Sequence, residues 1–151
     1  MTKVIKQGLA SVVVANYNGV NLLEECLDSL LSQTYREIEI IVADNNSQDG
    51  SCEFIEKKYS HKVKLIRSTT NTGNAGGNNI GINAALGEYI IILDNDTKLD
   101  RRFVEELIQA AGTDEKIGMC APKLLTYGRP NIVDAAGMLI YKDGLNQGRG
   151  R

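Results

Sequence analysis

The sequence predicts an α/β fold, a mostly parallel central sheet with helices on both faces. Three observations carry that expectation. Short apolar, largely β-branched runs recur at 9–15, 38–43 and 89–93. Segments of helical period lie between the runs, on connections short enough for right-handed crossovers. Each of these runs stops at an Asn or Asp: Asn16, Asp44 and Asp94.

The elements follow in order. Leu9 to Ala15 contains Val12, Val13 and Val14 in succession, the pattern of a strand covered on both faces. From Asn21, residues Leu22, Leu23, Cys26, Leu27, Leu30 and Leu31 repeat at helical spacing, ending near Gln33 or Tyr35. Asn21 with Glu24 reads as a capping box, and Asn18 is a competing cap. Ile38 to Ala43 is a second strand, Ser51 to Tyr59 a helix, and Val63 to Ile66 a third strand. A polar, glycine-rich segment, Asn71 to Gly81, precedes helical phase at Ile82 to Leu86. Tyr89 to Leu93 is the clearest strand. Asp100 is placed to cap a helix over Arg101 to Ala111, with Phe103, Val104, Leu107 and Ile108 toward the sheet. Ile117 to Ala121 is a fifth strand candidate, Met138 to Tyr141 a later one, and Asp143-Gly144 a turn.

Composition narrows the function classes. The 151 residues suit one domain, 1–151, with its α/β core at 9–121. Seventeen Lys and Arg against nineteen Asp and Glu disfavour nucleic acid, whose binding needs phosphate neutralisation. No apolar run reaches the length of a membrane-spanning helix. The first residues lack the apolar stretch of a secretory signal. Cys26, Cys52 and Cys120 are odd in number and show no Cys-x-x-Cys, so they read as reduced, buried thiols in a cytoplasmic protein. The lone histidine, His61, reads as part of an exposed turn, which leaves serine-hydrolase chemistry without support.

Sheets of this kind hold ligands outside the carboxyl ends of their strands. Asp94 and Asp96 stand there; one can cap the turn while the other is solvated, or both can hold Mg²⁺ or Mn²⁺ together with phosphate and water. A carboxylate about 4 Å from a phosphate charge repels it by ~4 kcal/mol at an effective dielectric near 20, so a diphosphate beside them needs a cation. Asp44 either accepts N–H groups of its own turn or takes the imino N–H of uracil or thymine. Ala15, Asn16 and Tyr17 offer backbone and ring contacts beside it. Gly73, Gly76, Gly77 and Gly81 lie among Asn71, Asn74, Asn78 and Asn79; they fit a backbone approached closely by ligand or simply a flexible loop. Asn79 is expected to point into the cleft.

Taken together these residues resemble the family-2 glycosyltransferases of GT-A, Rossmann-like fold. The likeness runs through Ser11 to Asn18, Leu27 to Tyr35, Glu39 to Ser51, Asn71 to Gly81 and Tyr89 to Asp96. It looks closest to the rhamnosyltransferase-like branch, through Gly76-Gly77-Asn78-Asn79 and Ala136-Gly137. The resemblance implies a nucleotide-diphosphate sugar as donor and a saccharide or lipid-linked acceptor, with inversion at the anomeric carbon. It implies that Asp44 binds the base and that Asp94, with Asn95 beside it, faces ribose or metal-bound phosphate. Asp96 ligates the metal. Asn74 and Asn78 depart from the aromatic residue and the Arg that relatives often carry there. The likeness covers the donor-binding half, so residues 122–151 are expected to begin an acceptor-side part, with the catalytic base beyond Arg151. Transfer by this chain alone is therefore not expected, and a cytoplasmic parent protein with peripheral contact to the inner membrane face fits this reading. The alternatives are a non-catalytic nucleotide-sugar-binding domain and a sugar-nucleotide pyrophosphorylase.

Overall fold

The computed structural model describes residues 3–140 and 146–148. The chain forms two compact units, divided after Glu105. In the first unit four strands, β1 (Lys6–Asn16), β2 (Ile38–Asp44), β3 (Lys64–Arg67) and β4 (Gly87–Asp94), make one sheet in the order β3-β2-β1-β4. All its pairings are parallel. The helices are α1 (Val20–Leu31), α2 (Ser51–Tyr59), α3 (Gly73–Ala84) and α4 (Phe103–Ala111).

Burial explains why β1 is central. Consecutive side chains Val12, Val13 and Val14 are all at 0% exposure, which requires cover on both faces of the strand. On the Val13 face α3 comes unusually close: a Cβ on Gly81 would stand 2.3 Å from Val13 Cγ1. The glycines of 71–81 thus belong to a helix pressed onto the sheet, where sequence suggested a loop leading into one. Only a residue without a side chain permits that spacing. On the other strands' edge, β4 is half exposed. Ile90 and Ile92 lie in register with Ser11 and Val13, on the face whose cover by α3 reaches β1 and β2.

Helix ends are set by distant groups. The N–H of Val20, first residue of α1, donates to the Asp49 carboxylate at 2.8 Å, so neither Asn18 nor Asn21 caps this helix. α1 ends at Leu31, and Gln33 is buried beyond it. Its amide donates to the carbonyls of Ser29 and Asp100 and accepts from the N–H of Val104, capping the first turn of α4. Asp100 accepts from Arg102 N–H at 2.9 Å, and α4 starts at Phe103 rather than Arg101. Of the four apolar residues expected to face inward, Val104 alone is fully buried.

The second unit holds two antiparallel pairs, β5 (Lys123–Thr126) with β6 (Arg129–Ala136) and β7 (Met138–Ile140) with β8 (Asn146–Gly148). The expected strand at 117–121 is irregular; Met119 is 89% exposed, and pairing starts only after Pro122. Gly128, at φ 72°, makes the turn between β5 and β6. The Asp143-Gly144 turn lies outside the described residues.

Candidate functional site

Strand order reverses between β1 and β4, the switch point where open parallel sheets leave a crevice. A cleft of about 290 Å³ opens there. Ala15, Asn16 and Tyr17 line it from the end of β1, with Asp94 and Asn95 from the end of β4. Asn45, Asn71, Gly73 and Asn74 complete the wall beside the start of α3. Register makes this convergence unavoidable: Asn16 pairs with Asp44 across β1–β2, and Ala15 pairs with Asp94 across β1–β4.

Asp44 does not itself line the cleft; it is buried at 2% exposure beside Asn16, which does. Its carboxylate accepts from Asn16 Nδ2 at 2.9 Å and from the Ser47 N–H at 2.9 Å. Burial works to raise its pKa, but hydrogen bonds from Ser47, Asn16 and the Cys52 thiol outweigh burial and hold it below the ordinary value. The same contact acts in reverse on Cys52. Burial, and then the neighbouring Asp44 carboxylate, push that thiol up to about 12, so it stays protonated. Cys26 is likewise raised by burial to about 11, and Cys120 is only partly buried.

The loop after β2 is tied to its neighbours on both sides. Ser47 Oγ accepts from Asn16 Nδ2 and from the Asn18 N–H, while Asn18 Oδ1 accepts from the Gln48 N–H. Asn18 and Asn46 both hold positive φ, at 50° and 69°, a conformation that Asn tolerates better than most residues. Asn45 fastens the other wall. Its Nδ2 donates to Asn71 Oδ1 and the Gly73 carbonyl, and its Oδ1 accepts from Thr72. Asn45 was not singled out from sequence, and Asn71 was named only as a member of the glycine- and asparagine-rich cluster. The available signal was position: Asn45 follows a strand end directly, and Asn71 opens the polar segment.

Asp94 and Asp96 are exposed, and neither carboxylate accepts a hydrogen bond or forms an ion pair within the described residues. Two hard-oxygen ligands without a protein partner suit a divalent cation that completes its shell with phosphate and water. Among the described residues no group of three or more His, Cys, Asp or Glu could hold a metal by itself. Asp96 stands next to the cleft wall without lining it. Asn79, expected in the cleft, is exposed elsewhere on α3. It lies five positions past Asn74, about 140° around the helix, so the two cannot face the same way.

The glycosyl transferase family 2 model matches residues 11–131. The chain belongs to that family. It is 39% identical over 103 residues to the glycosyltransferase GlyG of Streptococcus pneumoniae, a match covering 67% of this chain and 34% of that relative. Among solved structures it resembles S. aureus TarS 1-349 in complex with UDP, with a TM-score of 0.63 at 28% identity. It also resembles the mannosyltransferase PcManGT of Pyrobaculum calidifontis in complex with GDP-Man and Mn²⁺, with a TM-score of 0.65 at 27% identity. Each structural match covers 68% of this chain and 32% of the other. Against eight curated relatives it matches, the chain spans between 14% and 40% of their length. None of these names denotes a rhamnosyltransferase, so nothing beyond the sequence motifs singles out that branch. Membership favours sugar transfer over the pyrophosphorylase alternative.

Proposed function

We propose that this domain binds the donor for an inverting, metal-dependent glycosyltransferase. The donor is a UDP- or dTDP-sugar, and the acceptor is a saccharide or a lipid-linked carrier. The observation that supports this most directly is the meeting of Asn16 and Asp94 in the wall of one cleft, with Asp44 paired to Asn16 at the adjoining strand tip.

Asp44 is assigned the base end. An ionised carboxylate accepts the imino N–H of uracil or thymine, and neutral cytosine has no hydrogen at N3 to offer. Tyr17, 52% exposed at the cleft mouth, lies against the base, with Ala15 and Asn16 forming the floor. Asn74 and Asn95 are assigned to the ribose and diphosphate path. Asp94 and Asp96 would hold Mg²⁺ or Mn²⁺, which when bound offsets the charge on the departing nucleoside diphosphate. In the displacement, the acceptor oxygen attacks the anomeric carbon, its proton passes to a carboxylate base, and the bond to the diphosphate breaks. Asp44 and Asp94 are committed to the donor, so acceptor deprotonation is assigned to a group outside this cleft. Donor binding is the part of the reaction that this reading assigns to the described cleft.

No helix among the described residues is long and apolar enough to cross a membrane. A cytoplasmic setting, with peripheral contact to the inner membrane face in a longer protein, agrees with free thiols and with nucleotide-sugar supply. Calorimetric titration with UDP and dTDP, with and without Mn²⁺, tests the reading. Saturable binding strengthened by Mn²⁺ supports it; binding unaffected by the metal removes the cation from the proposal, and no binding overturns the donor site.

A further inference from the structure

Asn16 is at 1% exposure, and both N–H groups of its amide are spent inside the protein. Nδ2 donates to Asp44 Oδ1 at 2.9 Å and to Ser47 Oγ at 3.1 Å. Its Oδ1 accepts from Asn95 Nδ2 at 2.7 Å. The amide cannot be turned over without cost. Reversed, its oxygen would face the Asp44 carboxylate and its NH₂ would face the NH₂ of Asn95. The charge on Asp44 thus orients Asn16, and Asn16 in turn orients Asn95. All donors in the chain point toward Asp44, an arrangement in which each bond polarises the next. Asn95 is the middle residue of Asp94-Asn95-Asp96, so the relay joins the end of β2 to the turn after β4.

We propose that Asn16 is a positioning residue that couples the base end of the cleft to its phosphate end, through the relay Asn95→Asn16→Asp44. The inference rests on the donor-cleft reading above. When Asp44 engages a base, the pull on Asn16 changes and the grip on Asn95 changes with it. When Asp44 is neutralised, Asn16 loses one of the contacts that fix its amide, and its hold on the 94–96 segment weakens. Gly19 shields the link: a Cβ there would fall 2.0 Å from Asn95 Nδ2 and 2.6 Å from Asn16 Oδ1.

The test is a double-mutant cycle on the full chain, reading UDP and CDP affinity by calorimetry in Mn²⁺. The variants are Asp44→Asn, Asn95→Ala and the pair. Coupled residues should depart from additivity by about three-fold or more in UDP affinity. Asn95→Ala alone should also narrow the preference for UDP over CDP, although Asn95 sits in the turn after β4 and Asp44 ends β2. A merely structural Asn95 would lower both affinities by one factor. A cycle that closes within about two-fold, with the UDP/CDP ratio unchanged in Asn95→Ala, overturns the relay and leaves the donor site standing. Wild-type protein that fails to bind UDP overturns the donor site itself. Should Asp44→Asn lose its native circular dichroism, the UDP/CDP ratio of Asn95→Ala decides alone.

Discussion

The Asn16 side-chain amide donates to the Asp44 carboxylate at 2.9 Å, joining the tips of two adjacent parallel strands under the cleft floor. Asn16 is thus spent on holding Asp44, and its place in the cleft wall reflects that duty. Several expected outcomes follow from the groups gathered around this pair.

Asp44 should govern acid stability. Its pKa in the folded chain lies below the ordinary 3.8, so its contribution is complete above the unfolded carboxylate range and is lost as pH falls through the folded value. Thermal melts from pH 6 down to about pH 2 should show Asp44→Asn losing less on acidification than wild type. At neutral pH the variant should be less stable by about 1–3 kcal/mol, because the donors of Ser47, Asn16 and Cys52 lose a charged acceptor.

Asp94 and Asp96 should share the metal-dependent part of donor affinity. Asp96→Asn is expected to abolish most of the Mn²⁺ enhancement of UDP binding while leaving thermal stability within about 0.5 kcal/mol, as befits an exposed side chain. Retained enhancement in both Asp94→Asn and Asp96→Asn, measured by calorimetry, would remove the cation from these residues.

Gly81 and Gly77 should respond oppositely to alanine. At Gly81 the added carbon meets Val13 Cγ1 at 2.3 Å inside a filled core, so Gly81→Ala should cost about 1–3 kcal/mol. At Gly77 its nearest neighbours would be Ala15 Cβ and Asn45 Nδ2, both at an ordinary 3.5 Å. There the helix-propensity gain of up to ~1 kcal/mol should survive. Urea unfolding of the two variants side by side checks the contrast.

Gly19 is needed for space and not for backbone freedom, since its φ is −117°. Gly19→Ala should separate Asn95 from Asn16 and weaken UDP binding several-fold. A variant with unchanged UDP affinity would show that the strand-tip contact contributes nothing to the donor site.

Asp49 caps two helices at once, taking the Val20 N–H of α1 and both the N–H and hydroxyl of Ser51 in α2. Asp49→Ala should lower stability by about 1–2 kcal/mol, the usual worth of one or two caps. Chemical denaturation measures this directly.

How far the sequence could be read follows from what each feature depends on. The strand ends at Asp44 and Asp94 and the helix Ser51–Tyr59 were legible because each is set by local pattern: apolar runs, helical period and the polar residues that stop them. The glycine-rich segment misled for the same reason. Gly73 to Gly81 is poor helix material in isolation, and only the packing of α3 makes Gly81 necessary against Val13 and Gly76 against Thr72. The caps of α1 and α4 were hidden because Asp49 and Gln33 come from remote segments. That Asn79 lies outside the cleft lining was hidden because its direction depends on the phase of a helix whose start was not visible.

The order of residues by itself determined the alternation of strands and helices, the polar strand tips and the family motifs, since these need no partner farther away than a few residues. Folding alone decided which polar groups line the cleft and which are consumed within the protein. Hydrogen bonding is directional and short-ranged, so Asn16, equivalent on paper to any other strand-end Asn, takes its role from the carboxylate on one side and the amide on the other.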